Sequence, residues 1–122
     1  MPNYKFEHIH LISNDPEKTA EFYIKHLGAK QVSVMTLPGG LKGVRLTLND
    51  QLIIISPPRV KPPILGLEHF GLTTDDMTAS IAELKAVGCK IRDEPIEMSP
   101  GTRIAFFWTP EGVLIELVEK KK

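Results

Sequence analysis

The sequence predicts an α+β protein built from two βαβββ modules. Three observations support this class: strand-like and helix-like segments follow one another in the order β-α-β-β-β, a proline-rich stretch divides the chain near its middle, and the same order recurs after it. We place the first module at residues 5–56, the linker at residues 57–65 and the second module at residues 66–119, within one domain of residues 1–122.

The composition is that of an ordinary globular protein and excludes several functional classes. The 122 residues are 42% hydrophobic and 25% charged, which is enough to bury a sizeable core. Fifteen basic and fifteen acidic residues leave no net charge, so we expect no nucleic-acid or membrane partner and favour a small-molecule ligand. The single cysteine and the lack of an apolar leader predict a cytoplasmic protein.

The first module begins with an alternating strand at residues 6–13, in which His8 and His10 share one face. Asp15 is a good helix N-cap, Pro16 suits the first helical position, and Gly28 is a plausible left-handed C-cap. This pattern predicts a helix between them. Three strands are then predicted at residues 30–36, 43–48 and 51–56.

The second module follows a stretch that holds four of the ten prolines, which excludes a helix or a central strand there and predicts a semi-rigid linker. A turn at Pro110 and Gly112 leads into an apolar closing strand, interrupted by Glu116. The remaining predicted elements are a strand at residues 67–74, a helix at 76–87, strands at 89–93 and 102–108, and a loop at 94–100.

The two modules align residue by residue as well as element by element. The opening strands match His8 with His69, and the closing strands match Ile54 with Glu116. Pseudo-twofold packing of the modules is expected to bring these four positions together. Either histidine alone would be interpreted as a hydrogen-bonded, half-buried structural residue. Two histidines at equivalent positions of a repeat instead favour a shared site.

Two imidazoles and one carboxylate form a known ligand set for a divalent metal, either Zn(II) or non-haem Fe(II). A buried Glu116 needs a proton, a partner or a metal, because an unpaired buried charge costs several kcal/mol. We therefore predict that His8, His69 and Glu116 are metal ligands. His10 is a candidate proton donor or acceptor, because an imidazole ordinarily titrates near neutral pH; the alternative is a histidine that supports the ligands from behind or is exposed to solvent.

Two arginines and one aromatic residue are candidates for substrate binding. Allowing for loop gaps, residues 43–46 align with residues 101–104, which matches Arg45 with Arg103. Both alternate with apolar residues, so they are candidates to face the cavity and bind a carboxylate or phosphate, with solvated surface arginines as the alternative. By the same parity, Phe107 is a candidate to line the pocket.

In the order and spacing of these residues the sequence resembles the vicinal oxygen chelate superfamily, which includes glyoxalases, bleomycin-resistance proteins and ring-cleaving dioxygenases. The resemblance covers essentially the whole chain, and its specificity lies in the order and spacing of several short motifs. These motifs are Glu7-His8-Ile9, Asp15 before a helix running through Phe22-Tyr23 to Leu27-Gly28-Ala29, Glu68-His69 with Asp76, and Pro110-Glu111-Gly112 leading to Ile115-Glu116-Leu117.

The resemblance implies strands that curl into an open, barrel-like cavity with one divalent metal, which is Ni, Co, Zn, Mn or Fe. By position the family's metal ligands fall on His8, His69 and Glu116, whereas its fourth ligand position, normally Glu or Gln, falls on Ile54. The resemblance also implies a homodimer, with modules exchanged between subunits in some relatives.

The resemblance leads to three functional hypotheses. The first is a metal-dependent lyase or isomerase of glyoxalase or epimerase type, which stabilises an enolate or enediolate while Glu116 binds the metal and His10 moves a proton. The second is an Fe(II)-dependent ring-cleaving dioxygenase. The third is a non-catalytic, bleomycin-resistance-like protein that sequesters its ligand.

Overall fold

The computed structural model describes residues 2–121, which form eight strands and two α-helices in the predicted repeated order. The α+β class and the two βαβββ modules are therefore confirmed. The elements are β1 (Tyr4–Ile12), α1 (Pro16–Leu27), β2 (Lys30–Thr36), β3 (Lys42–Leu48), β4 (Gln51–Ser56), β5 (Gly66–Thr74), α2 (Met77–Ala86), β6 (Lys90–Ser99), β7 (Thr102–Trp108) and β8 (Leu114–Lys120).

The chain divides into two compact units. The first unit runs from His8 to Glu68, and the second unit comprises the N-terminal segment through Glu7 together with the chain from His69 onward. The N-terminal end of β1 therefore belongs to the second unit. The predicted boundaries instead placed residues 5–7 in the first module. Residues 57–65 form neither helix nor strand, as their prolines predict.

The first unit has the strand order β2-β3-β4-β1, in which β1 and β4 are parallel and the other pairs antiparallel. Its core lies between one face of these strands and α1. The core residues are Ala20, Ala29, Val44, Leu46, Ile53 and Ile55. Since side chains alternate along a strand, the residues next to the core positions of β3 and β4 lie on the opposite face of these strands.

The second unit has the corresponding strand order β5-β8-β7-β6, in which β5 and β8 are parallel and the other pairs antiparallel. One face of its strands packs against α2. The core residues are Met77, Ile81, Ala105, Phe107, Ile115 and Leu117. The opposite face again carries the alternate residues of each strand.

The predicted signals at the helix ends are present. The side chain of Asp15 accepts a hydrogen bond from the Lys18 N–H, and Gly28 ends α1 in the left-handed region at φ 80°. Asp76 caps α2 in the same way through the Ala79 N–H. These caps satisfy backbone groups that each helix end leaves without an intrahelical partner, so both helices begin where the sequence predicts.

One predicted boundary is wrong. The strand predicted at residues 89–93 continues as β6 to Ser99, so most of the predicted loop at residues 94–100 is strand. Pro95 lies within it. Proline is tolerated there because β6 is an edge strand, next to β7 alone, and its pairing is interrupted by register shifts on both sides of residue 93.

The N-terminal segment is attached to the second unit by several contacts. The Asn3 backbone N–H donates to Asp75 Oδ1 at 2.9 Å, and the Asn3 amide donates to Asp75 Oδ2 at 2.8 Å. The rings of Phe6 and Phe70 stack with centroids 5.4 Å apart. These contacts join residues that are far apart in sequence into one packed unit.

The Asp75 carboxyl is expected to make stability depend on pH. The Asn3 backbone hydrogen bond, followed by its side-chain bond, lowers the pKa of Asp75 below its ordinary value of 3.8. The stabilisation is therefore present above pH 3.8 and is lost as the pH falls through the lower folded-state pKa. In an NMR titration we expect Asn3→Ala to raise the pKa of Asp75, and Asn14→Ala to leave it unchanged. An unchanged pKa in Asn3→Ala would contradict the assignment of the amide contact.

No helix in the described part of the chain is both long and apolar enough to cross a membrane.

Candidate metal-binding and active site

Glu116 lies on the face of the second unit that is turned away from α2. Its neighbours in β8, Ile115 and Leu117, are buried in the core that α2 covers. Because successive side chains of a strand point to opposite faces, Glu116 must point the other way. The sequence predicted this orientation on the condition that its two neighbours face the helix, and that condition is met.

His69 lies beside Glu116 on the same face. Its Nε2 is 3.3 Å from Glu116 Oε1, and the residue is 3% exposed. The ring also meets Phe106 edge to face, with centroids 5.2 Å apart. The second unit therefore holds an imidazole nitrogen and a carboxylate oxygen close together, next to the ring of Phe106. These are two of the donor types that divalent transition metals prefer.

Two histidines of the first unit lie on its face turned away from α1. His8 and His10 are two residues apart in β1, so they share a face, and their ring centroids lie 6.1 Å apart. His8 is buried at 2% exposure. The Nε2 of His10 makes a 2.8 Å hydrogen bond with the hydroxyl of Ser56, a buried residue at the end of β4. This contact fixes the orientation of the His10 ring.

Strand register supports the predicted correspondence between the two closing strands. In the first unit His10 is paired with Ile54 across β1 and β4. In the second unit Gly71 is paired with Glu116 across β5 and β8. Ile54 therefore occupies in the first unit the position that Glu116 occupies in the second. His10 stands where the second unit has a glycine.

The register contradicts the predicted match between Arg45 and Arg103. Arg45 pairs with Ile54, whereas the residue that pairs with Glu116 is Phe106. Arg45 therefore corresponds to Phe106, and the alignment from sequence was wrong by three residues. Spacing alone could not fix it, because the strands that precede β3 and β7 differ in length.

Arg103 is directed to the face that carries α2. Its Nε and Nη2 each lie 3.0 Å from Oε1 of Glu119, and Oε2 of Glu119 accepts a 2.7 Å hydrogen bond from the Met77 backbone N–H. Glu119 thus links β7 to the first residue of α2. This placement corrects the prediction that Arg103 faces the cavity, since its guanidinium supports the helix on the other side of the strands.

Phe107 is also on the α2 side. It is 6% exposed and belongs to the core with Ala105 and Ile81. The aromatic residue that lies on the same face as Glu116 is its neighbour, Phe106. The parity predicted for Phe107 is therefore corrected by one residue. Arg45, in contrast, lies on the face opposite α1, and its Nη1 is 3.5 Å from the Ser33 hydroxyl.

The comparison with protein families identifies the chain. The model of the glyoxalase/bleomycin resistance protein/dioxygenase superfamily matches residues 5–117. The chain belongs to this superfamily. The family resemblance predicted from the sequence is thereby confirmed.

Two individual proteins are similar to the chain over nearly its whole length. The chain is 32% identical to the uncharacterized protein YwkD of Bacillus subtilis, over 93% of this chain and 94% of the relative. A crystal structure of a hypothetical protein from Bacillus halodurans superposes with a TM-score of 0.80 at 23% identity, covering 98% of this chain and 96% of the other.

A third similarity is to an enzyme of the superfamily. The methylmalonyl-CoA epimerase of Streptomyces coelicolor, solved as a single-residue variant in complex with 2-nitronate-propionyl-CoA, superposes with a TM-score of 0.74 at 25% identity. The alignment covers 97% of this chain and 98% of the epimerase. The superfamily therefore contains enzymes that have the fold of this chain along its whole length.

The structure of this superfamily member also reveals an arginine that the sequence analysis missed. The guanidinium carbon of Arg92, in β6, lies 4.5 Å from the centroid of the Phe106 ring. Ile91, the residue before it, packs in the α2-side core, so Arg92 is on the face that carries Glu116. The alternation of Ile91 and Arg92 in the strand predicted at residues 89–93 was the sequence signal for this orientation.

Proposed function

We propose that this superfamily member is a metal-dependent lyase or isomerase of glyoxalase or epimerase type. It would bind two neighbouring oxygens of a small substrate and assist the transfer of a proton next to a carbonyl group. The observation that supports this most strongly is the adjacent imidazole and carboxylate of His69 and Glu116 on the face opposite α2. The similarity to an epimerase over nearly the whole chain adds to it.

We propose His8, His69 and Glu116 as the metal ligands. The donor set fits, because imidazole nitrogen and carboxylate oxygen are accepted by Ni, Co, Zn, Mn and Fe in their divalent states. When bound, the metal would supply Lewis-acid stabilisation of negative charge on neighbouring substrate oxygens. His8 is included because the opening strands align it with His69, and because it shares the polar face of β1 with His10.

His10 is the residue that we propose moves the proton. It is an imidazole held by the Ser56 hydroxyl at 2.8 Å, so its ring is positioned before substrate arrives. Ile54, its strand partner, has no group that could exchange a proton. Arg45 lies on the same face as Ile54 and is proposed to bind a substrate oxygen.

A homodimer, which the family resemblance implies, completes the proposal, together with the cytoplasmic location and the small-molecule substrate that the composition predicts. Arg103 and Phe107 are not part of it, because their side chains contact Glu119 and the α2-side core.

The experiment that tests this function measures metal content and proton exchange on the same preparations. Protein purified without chelator is analysed for metal, and apo protein is reloaded separately with Ni, Co, Zn, Mn or Fe. Each form is incubated in D₂O with methylmalonyl-CoA, or with methylglyoxal and glutathione. We expect one metal per chain and metal-dependent exchange or conversion. His10→Gln should retain the metal and lose roughly 100-fold or more of the rate.

The alternative functions predict different results. Bound iron with dioxygen consumption on a catechol would favour the ring-cleaving dioxygenase. Ligand binding without metal, and unchanged by His8→Ala, would favour a sequestering protein of the bleomycin-resistance kind. Either result would overturn the lyase or isomerase proposal.

A further inference from the structure

Phe106 connects the proposed metal-binding residues of the second unit to a cationic side chain. Its ring is nearly perpendicular to the His69 imidazole, with centroids 5.2 Å apart. The guanidinium of Arg92 lies over the same ring at 4.5 Å. His69, Phe106 and Arg92 thus form a continuous row on the face that carries Glu116, across the neighbouring strands β5, β8, β7 and β6.

The immediate partner of Arg92 leaves it available for a further anion. Its Nε and Nη2 donate to a single oxygen, Oδ2 of Asp93, at 3.2 and 2.8 Å. Both side chains are over two-fifths exposed, and an exposed ion pair of this kind contributes little to stability. The contact with Asp93 uses two of the five N–H donors of the guanidinium, so donors remain for a second anion. Arg103, by comparison, is committed to a buried glutamate.

We propose that Arg92 binds an oxyanion of the substrate, a carboxylate or a phosphate, at the end remote from the chelated oxygens. Neighbouring strands are about 4.8 Å apart, so the two strand steps from Glu116 to Arg92 span about 10 Å. The ligand would lie across the Phe106 ring with its neutral middle portion. A planar, always-charged guanidinium is well suited to bind a carboxylate or phosphate through two hydrogen bonds. This inference rests on the proposed function, since it presumes that the other end is bound near Glu116.

Matched hydroxamates test this inference without knowledge of the natural substrate. A hydroxamate presents two neighbouring oxygens to a metal, and the monohydroxamates of succinic, glutaric and adipic acids add a carboxylate at increasing distance. Binding to cobalt-loaded protein is measured by calorimetry against uncharged alkyl hydroxamates of equal length. In the wild type we expect the carboxylate at its best distance to tighten binding about tenfold, as charge-assisted hydrogen bonds do. A phosphonate-terminated probe of that length shows which oxyanion is preferred.

The variants separate failure of this inference from failure of the proposed function. Arg92→Ala should remove the advantage of the carboxylate and leave the uncharged hydroxamate unaffected, whereas Arg92→Lys should retain part of it. Arg59→Ala is the matched control, because Arg59 is an exposed arginine paired with Glu68 in the other unit. Hydroxamate binding with no carboxylate advantage, or an advantage that survives Arg92→Ala, would overturn the inference. A cobalt-loaded protein that binds neither hydroxamate would instead overturn the proposed metal chemistry.

Discussion

Glu116→Gln is expected to weaken metal binding by at least about 100-fold, more than is usual for changes to residues that merely orient a ligand. The substitution preserves size and replaces an anionic oxygen donor by a neutral amide, which is a much poorer partner for a divalent cation. The metal-dependent proton exchange of the proposed function should fall by a comparable factor. The measurements are metal affinity by calorimetry on the apo protein and exchange monitored by NMR.

Glu111→Gln provides the control for Glu116→Gln. It makes the same chemical change at an exposed turn position just before β8, so metal affinity should match the wild type. Circular dichroism establishes that both variants are folded. If Glu116→Gln bound metal as tightly as Glu111→Gln, the carboxylate of β8 would not be a ligand and the proposed site would have to be rejected.

Glu119→Ala is expected to lower the free energy of unfolding by about 2–3 kcal/mol. The substitution removes the acceptor for the Met77 N–H at the first residue of α2, and it leaves the partly buried Arg103 without its carboxylate. Chemical denaturation monitored by circular dichroism gives the change directly. Metal affinity of the folded protein should be unchanged, since Glu119 is on the α2 side of the strands.

Glu94→Ala is the matched control in the same unit. Glu94 also forms an ion pair, with Lys85 at 3.0 Å, but both side chains are more than half exposed. We therefore expect its loss to cost no more than about 0.5 kcal/mol. If the two substitutions lowered the free energy of unfolding equally, burial and the contact with the helix end would not make Glu119 more stabilising than an exposed ion pair.

Much of the fold could be predicted because local signals and the repeat pointed to the same elements. Asp15, Pro16 and Gly28 delimit α1 through capping chemistry that acts within one turn of the helix. The apolar residues around Glu116 fixed the face on which the carboxylate lies, since alternation along a strand depends only on the strand itself. The residues proposed as ligands were reached in this way, from parity and from repetition.

The prediction failed where it needed register between strands. Arg45 and Arg103 have similar neighbours in sequence, but their pairing depends on the length and irregularities of β2 and β6, which sequence spacing does not reveal. A three-residue error in an alignment reverses the face of a side chain, because the period of a strand is two. Phe107 was assigned to the wrong face for this reason.

The contacts of the N-terminal segment with the second unit affect the order in which parts of the chain can fold. Residues 3–7 are synthesised before the first unit, yet their packing partners in the second unit, such as Phe70, Asp75 and Lys120, are synthesised after it. Asn3 and Asp75 are separated by 72 positions in the chain. Since domains generally fold as units during synthesis, the first unit can acquire its core while residues 3–7 still lack their native contacts. Residues 3–7 thus reach their native contacts only after the second unit has been synthesised.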